Sequence, residues 1–330
     1  MNEASFHPAR PGTIPESEDK PVADKTLKHE DTCKTIVRLI LTLMILSACA
    51  VLYVLFCLQL RWLSCQRLEE RERPLVMVPG TRSFKGYSCV PDGKPLVRAP
   101  CRQCAMVSSS GQMLGSQLGK EIDRTECVLR MNHAPTKGYE EDVGTKSTIR
   151  VVSHTSIPLL LRNQSYFFKQ SWETLYIVWG PTKTMNREKV GMTYRTLLKV
   201  KEMYPSLQIY TLTEQMMAYC DEVFQNETGK NRMKSGSFLS TGWFTMILAM
   251  ELCEQISVFG MVSNGYCREK NQPTVPYHYF ENGKLDECRM YLAHERARRG
   301  GHRFITEKAV FSHWAKSRNI VFTHPSWADG

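Results

Sequence analysis

The chain has 330 residues, 42% of them hydrophobic and 10% aromatic, which excludes a wholly disordered or fibrous protein and leaves room for one large domain or two small ones. Its formal net charge is +10, unevenly placed: residues 1–38 hold six basic and seven acidic side chains, a balance of −1, so the remainder carries +11. A basic remainder suits an anionic ligand or an anionic membrane surface, and the compartment argued below leaves nucleic acid out.

Residues 1–38, polar and punctuated by Pro8, Pro11, Pro15 and Pro21, read as a cytosolic tail. Cys33, just outside the apolar run that follows, is a candidate for palmitoylation. Leu39 to Leu60 holds 22 residues without a charge and with only Thr42, Ser47 and Gln59 clearly polar. At about 1.5 Å per residue it crosses a ~30 Å hydrocarbon core. The run begins too far into the chain for a cleaved signal peptide, and no small-residue cleavage site follows it, so residues 39–60 read as a signal-anchor.

Flanking charge leaves the orientation open, because Lys25, Lys28, Lys34 and Arg38 balance Arg61, Arg67, Arg71 and Arg73. The segment after the span carries both glycosylation sequons, at Asn163 and Asn226, and nine of the twelve cysteines. Both features favour an oxidising lumen, which makes the chain a single-pass type II membrane protein. Nine cysteines cannot all pair internally. Cys65, beside the membrane, is the candidate for a homodimer link, with a stem thiol that stays reduced or is acylated as the competing reading.

Residues 61–97 mix charge with Pro74, Pro79, Pro91 and Pro95 and read as a lumenal stem, leaving 98–330 as the folded domain. Short apolar runs predict strands at Ala105–Val107, Cys127–Met131, Ile149–Val152, Thr174–Trp179, Leu207–Leu212, Ile256–Met261 and Ile320–Thr323. Helical periodicity falls between several of them, at Ile157–Asn163, Tyr194–Met203, Glu214–Phe224, Ser240–Cys253, Glu287–Arg296 and Glu307–Lys316. The alternation predicts an α/β fold: a mostly parallel sheet with helices on both faces.

Two loops have the chemistry of an anion site. Ser240-Thr241-Gly242 opens a strongly apolar helix with a hydroxyl cap, where free amides and the helix dipole face a ligand. Ser109-Ser110-Gly111 follows the first strand in the same way, and each loop read alone is equally a plain cap. His278, among aromatic neighbours, and His302, five positions before Glu307, are candidates for acid–base work on a hydroxyl, the task for which the imidazole side chain is suited, and a buried structural histidine is the alternative for each. No His-Glu-x-x-His, no Asp-x-Asp and no second Cys pair for Cys101-x-x-Cys104 occurs, so the expectation is chemistry without a metal.

Four segments in order, Cys104 to Val152, Ser237 to Gly260, His278-Tyr279-Phe280-Glu281 and His302-x-x-x-x-Glu307, resemble the large, small, third and very small motifs of the eukaryotic sialyltransferases. Val97-Arg98-Ala99-Pro100-Cys101 and Phe238-Leu239-Ser240-Thr241-Gly242-Trp243 are similar, more narrowly, to the N-acetylgalactosaminide α-2,6-sialyltransferases, and within them to those acting on sialylated Gal-β-1,3-GalNAc. The resemblance implies a Golgi enzyme with a variant Rossmann-like (GT-A-like) fold, CMP-sialic acid as donor, a sialylated O-glycan or glycolipid acceptor, and no cofactor. It implies donor binding by Asn132, Ser240, Thr241 and Gly242 with the Ser109-Ser110-Gly111 loop, His278 at the donor phosphate, His302 as general base, and a Cys104–Cys253 bridge. Ser109 stands where many relatives have asparagine. Two other readings compete: a lumenal lectin that kept the fold without the chemistry, and a transferase acting mainly on gangliosides. Acceptor choice is expected from the loops 182–191 and 268–274.

Overall fold

The computed structural model describes residues 24–72, 80–269, 272–281 and 285–327. They fall into two compact units, residues 1–76 and 77–330. The described residues of the first form a single helix, Asp24–Glu72. Its stretch Lys34–Arg61 is 28 residues long with a mean hydropathy of 2.7, long and apolar enough to cross a membrane. Within it the hydroxyls of Thr42 and Ser47 donate back to Leu39 O at 2.8 Å and Met44 O at 2.9 Å, so neither brings an unsatisfied donor into the apolar segment. The side chains of Cys33 and Cys65 lie outside the described residues.

The second unit is built on a nine-stranded sheet in the order β2-β1-β7-β6-β5-β4-β3-β8-β9. The strands are β1 Arg82–Cys89, β2 Pro95–Arg98, β3 Cys101–Val107, β4 Cys127–Met131, β5 Ile149–Ser153, β6 Leu175–Trp179, β7 Gln208–Leu212, β8 Cys253–Phe259 and β9 Ile320–His324. From β7 to β9 every pairing is parallel. Alternation along the strands supplies both faces with apolar groups, as a sheet covered on both sides requires. Leu129, Met131, Ile149, Val151 and Ile177 pack beneath the helices Glu214–Thr228, Thr241–Leu252 and Phe304–Ala315. Val152, Tyr176, Val178 and Ile209 turn to the other face, against Ile157, Leu160 and the helix Met192–Met203.

Three boundaries differ from the sequence reading. The hairpin β1–β2 occupies part of the stretch read as stem: β1 pairs antiparallel with β7, and β2 forms the sheet edge, where Pro95 as first strand residue does no harm. The buried Tyr87 hydroxyl fastens this hairpin to Glu251 at 2.5 Å, a contact that composition does not reveal. Cys253 belongs to β8 rather than to the preceding helix, because it pairs in register with Cys101 and is bonded to Cys104. The last helix begins at Phe304 rather than Glu307, and within its first turn the Thr306 hydroxyl donates to Glu295 at 2.5 Å.

Disulfides join Cys101–Cys127, Cys104–Cys253 and Cys267–Cys288. The clustered sulfurs of Cys101, Cys104 and Cys127 are therefore all consumed in bridges. Cys89 is half-buried and free, and Cys220 is buried and free. Asn163 and Asn226 are both exposed, the first at the end of the helix Ile157–Arg162 and the second inside Glu214–Thr228.

Candidate active site

In chain order the parallel strands run outward from β3 through β4, β5 and β6 to β7, and β8 then returns to the other side of β3. An open α/β sheet with this reversal has a crevice beyond the carboxyl ends of the two strands at the switch, here β3 and β8. A cleft of about 170 Å³ lies there. It is lined by Ser108, Ser109 and Ser110 after β3, Asn132 after β4, Ser240, Thr241 and Gly242 at a helix start, and His278 and His302 from later loops. Of the residues singled out in the sequence for the site, Gly111 alone is missing from this wall.

The amino end of the Thr241–Leu252 helix is fixed from outside. Ser240 Oγ accepts from Trp243 N at 3.1 Å, the N-cap bond its residue type favours. Its own N–H donates to Glu307 Oε1 at 2.9 Å and its hydroxyl donates to Glu307 Oε2. The amides of Thr241 and Gly242 have no acceptor among the described residues, as expected for the first turn of a helix. They are the pair of donors that the cleft receives.

Asn132 ends β4 in the left-handed region, φ +49°, a conformation that asparagine tolerates. Its Oδ1 accepts from Ser153 N at 2.9 Å and its Nδ2 donates to Thr241 Oγ1 at 3.4 Å, so it ties two strand ends to the helix start. The turn is held from below by the buried Arg150, whose Nη1 donates to Asn132 O and Ala134 O, both at 2.9 Å. Sequence reasoning passed over Arg150 because an arginine inside a strand looks like a solvent-facing residue.

Gly111 has a different task from its neighbours. Its amide donates to Pro276 O at 2.9 Å, and a Cβ there would stand 2.4 Å from that oxygen. Tyr279 N donates to Ser109 O at 2.9 Å, so the two loops are stitched together on either side of His278. The glycine permits this close approach, and its amide is committed inside the protein. Ser110 Oγ likewise accepts from Gln112 N at 3.0 Å. His278 Nδ1 lies 3.1 Å from Glu281 Oε2, in ion-pair range, and its ring stacks on Phe280 with centroids 5.1 Å apart.

His302 Nδ1 is 3.1 Å from Phe238 O. A carbonyl can only accept, so Nδ1 carries the proton and Nε2 keeps its lone pair. The ring stacks on His294 at 5.4 Å with an interplanar angle of 4°, and His294 Nδ1 accepts from His302 N at 3.2 Å. Burial lowers the His302 pKa below its ordinary value, and the nearby His294 and Arg303 act in the same direction against the Phe238 bond. Exposed Phe238 flanks it, ring to ring at 6.4 Å.

Beneath the cleft runs a buried polar chain with no signature in the sequence. Glu287 accepts from Gln112 Nε2 at 3.0 Å and from Tyr291 OH at 2.6 Å, and Lys308 Nζ sits 4.0 Å from the Tyr291 ring centroid. Burial pushes the Lys308 pKa down to about 8 against the pull of Glu287 and Glu307. Burial pushes Glu307 up to about 7 despite its bonds from Ser240.

A strand-end crevice lined by a helix amino terminus and two histidines, one of them with Nδ1 on a backbone carbonyl, has the parts of a group-transfer site for an anionic donor. The chain matches the model of Glycosyltransferase family 29 (sialyltransferase) over residues 78–318, and it belongs to that family. Among curated proteins, the human alpha-N-acetyl-neuraminyl-2,3-beta-galactosyl-1,3-N-acetyl-galactosaminide alpha-2,6-sialyltransferase is 64% identical over 296 residues, covering 88% of this chain and 97% of that protein. The Mus musculus protein of the same name is 60% identical over 307 residues, covering 92% and 85%. A crystal structure of a mammalian sialyltransferase aligns at 23% identity with a TM-score of 0.45, over 68% of this chain and 69% of that one.

Proposed function

We propose that the chain transfers sialic acid from CMP-N-acetylneuraminate in α-2,6 linkage to the GalNAc of sialyl-α-2,3-Gal-β-1,3-GalNAc, carried on an O-glycan or on a glycolipid with the same sugars. The observation that carries this reading is the 3.1 Å contact of His302 Nδ1 with Phe238 O, which favours the tautomer with a free Nε2, in a residue that lines the cleft. Names of proteins 64% and 60% identical to this chain support the acceptor.

His302 Nε2 takes the proton of the GalNAc 6-hydroxyl as that oxygen attacks the anomeric carbon of sialic acid. The bond to the CMP phosphate breaks on the opposite face, so the configuration inverts. Negative charge on the departing phosphate meets the amides of Thr241 and Gly242 at a positive helix end, with Asn132, Ser109 and Ser110 around the nucleotide and His278 at the phosphate. No step calls on a metal ion. The carboxylate that lines the cleft, Glu307, has both oxygens committed to Ser240.

The same reading puts the protein in the Golgi membrane as a type II chain, anchored by residues 39–60 with the sheet-bearing unit in the lumen, Asn163 and Asn226 glycosylated, and Cys65 linking a homodimer. It is tested by incubating the purified chain with CMP-sialic acid, EDTA and the sialylated trisaccharide. A product linked at the GalNAc 6-position is expected. Donor binding without transfer to any sialylated acceptor would point to a lectin instead.

A further inference from the structure

The base stands on a pair of loops. Residues 232–238 and 296–302 run side by side, with Gly300 N donating to Gly236 O at 2.8 Å, Phe238 N donating to Gly301 O at 3.1 Å, and a bridge between Phe238 and His302. A sugar whose hydroxyl meets His302 therefore lies against this pair.

Both loops are basic at the surface. Lys234, Arg296, Arg298 and Arg299 are exposed. Among the described residues their side chains have no acidic partner, while the neighbouring carboxylates are already occupied. Asp221 holds Arg232 through both oxygens, and Glu295 accepts from Ile305 N at 3.0 Å and from the Thr306 hydroxyl. Arg299 lies along the facing loop: a Cβ on Gly236 would stand 3.5 Å from its Cγ. Four cations on the two segments that meet at Phe238 and His302 create a local positive field, and the arginines add a planar fork matched to a carboxylate. A neutral acceptor would gain nothing from this rim. An acceptor carrying a carboxylate two sugars beyond its reacting GalNAc would.

We infer that the rim, chiefly Arg298 and Arg299, is a second anion subsite that holds the carboxylate of the sialic acid already on the acceptor. This rests on the sialylated-acceptor reading above, and it locates acceptor choice on loops other than 182–191 and 268–274.

The test uses the full-length chain in detergent, the sialylated trisaccharide, and the same trisaccharide with its carboxylate methyl-esterified. Esterification is expected to lower kcat/KM of the wild type by roughly tenfold or more, mostly through KM, a size typical of one charge-assisted contact. In Arg298→Ala/Arg299→Ala the two acceptors are expected to differ by less than about twofold, with the KM for CMP-sialic acid unchanged as the sign of an intact fold. An Arg298→Lys/Arg299→Lys pair should recover part of the discrimination. A wild type indifferent to the ester, or a variant that keeps the wild-type ratio, overturns the subsite. A kept ratio with weakened binding to anionic vesicles would assign the rim to a membrane surface and overturn it equally. A wild type that transfers to neither acceptor removes the function proposed above, and this inference with it.

Discussion

Ser240 and Glu307, 67 residues apart in sequence, are joined twice in a buried site: Glu307 accepts the Ser240 amide at 2.9 Å and its hydroxyl as well. The cap of the helix that presents Thr241 and Gly242 is thus held by the helix that follows His302. Removing the carboxylate leaves a buried N–H and hydroxyl without acceptors. Glu307→Ala is therefore expected to lower unfolding stability by about 3 kcal/mol, the cost of orphaned groups that had bonded to a carboxylate. Chemical denaturation measures it, and Glu307→Gln, which keeps one acceptor oxygen, should lose less. Equal stability of wild type and Glu307→Ala would show that the cap does not depend on this link.

The pH dependence of turnover follows from His302. As a base it must be unprotonated at Nε2, and burial together with the neighbouring His294 and Arg303 moves its pKa below the ordinary 6.5. Protonation therefore sets in only at a lower pH than for a free imidazole. The acidic limb of kcat/KM for the acceptor is expected below pH 6.5, so activity persists in mildly acidic solution. A pH–rate profile with its acidic limb above 6.5 would contradict the assignment.

Gly111 packs against backbone 165 positions away, and a methyl group there would meet Pro276 O at 2.4 Å. The 276–279 loop would have to move, carrying His278 with it. Gly111→Ala is expected to lower kcat on the order of 10²-fold, the effect of about an ångström of misplacement at a reacting centre. The Cys104–Cys253 bridge should be intact on a non-reducing peptide map, which would show that the fold survives. Wild-type turnover in this variant would mean that the stitched loops do not position His278.

Cys104 and Cys253 fasten β3 to β8, the two strands that bound the crevice, across 149 residues of chain. Cys253→Ser should cost about 2–5 kcal/mol of stability, the usual range for a native bridge in a secreted domain. Thermal unfolding of the variant beside the wild type measures it, and an unchanged midpoint would contradict the prediction.

Much of this site was readable in the chain, because the groups that meet at the cleft sit in local patterns. Ser240 announces a helix start by its type and by the apolar run behind it, and Asn132 follows a short strand stopped by Ala134 and Pro135. What the sequence withheld depends on pairs distant in the chain. Nothing local says that Gly111 serves Pro276, that Arg150 holds the Asn132 turn, or that Gln112, Glu287 and Tyr291 form one buried chain. The β1–β2 hairpin was hidden for another reason: Pro91, Pro95 and Gly93 give it the composition of a linker, and its strand character comes from pairing with β7.

His302 as the group that takes the proton, and the strand-end cleft as the donor site, are tested together by His302→Asn in the full-length chain. Two quantities are needed, kcat with the sialylated trisaccharide and Kd for CMP-sialic acid. A loss in kcat of about 10²- to 10⁴-fold is expected, the contribution of a positioned base, with Kd within about twofold of wild type. Unchanged kcat in a variant that still binds donor would contradict it.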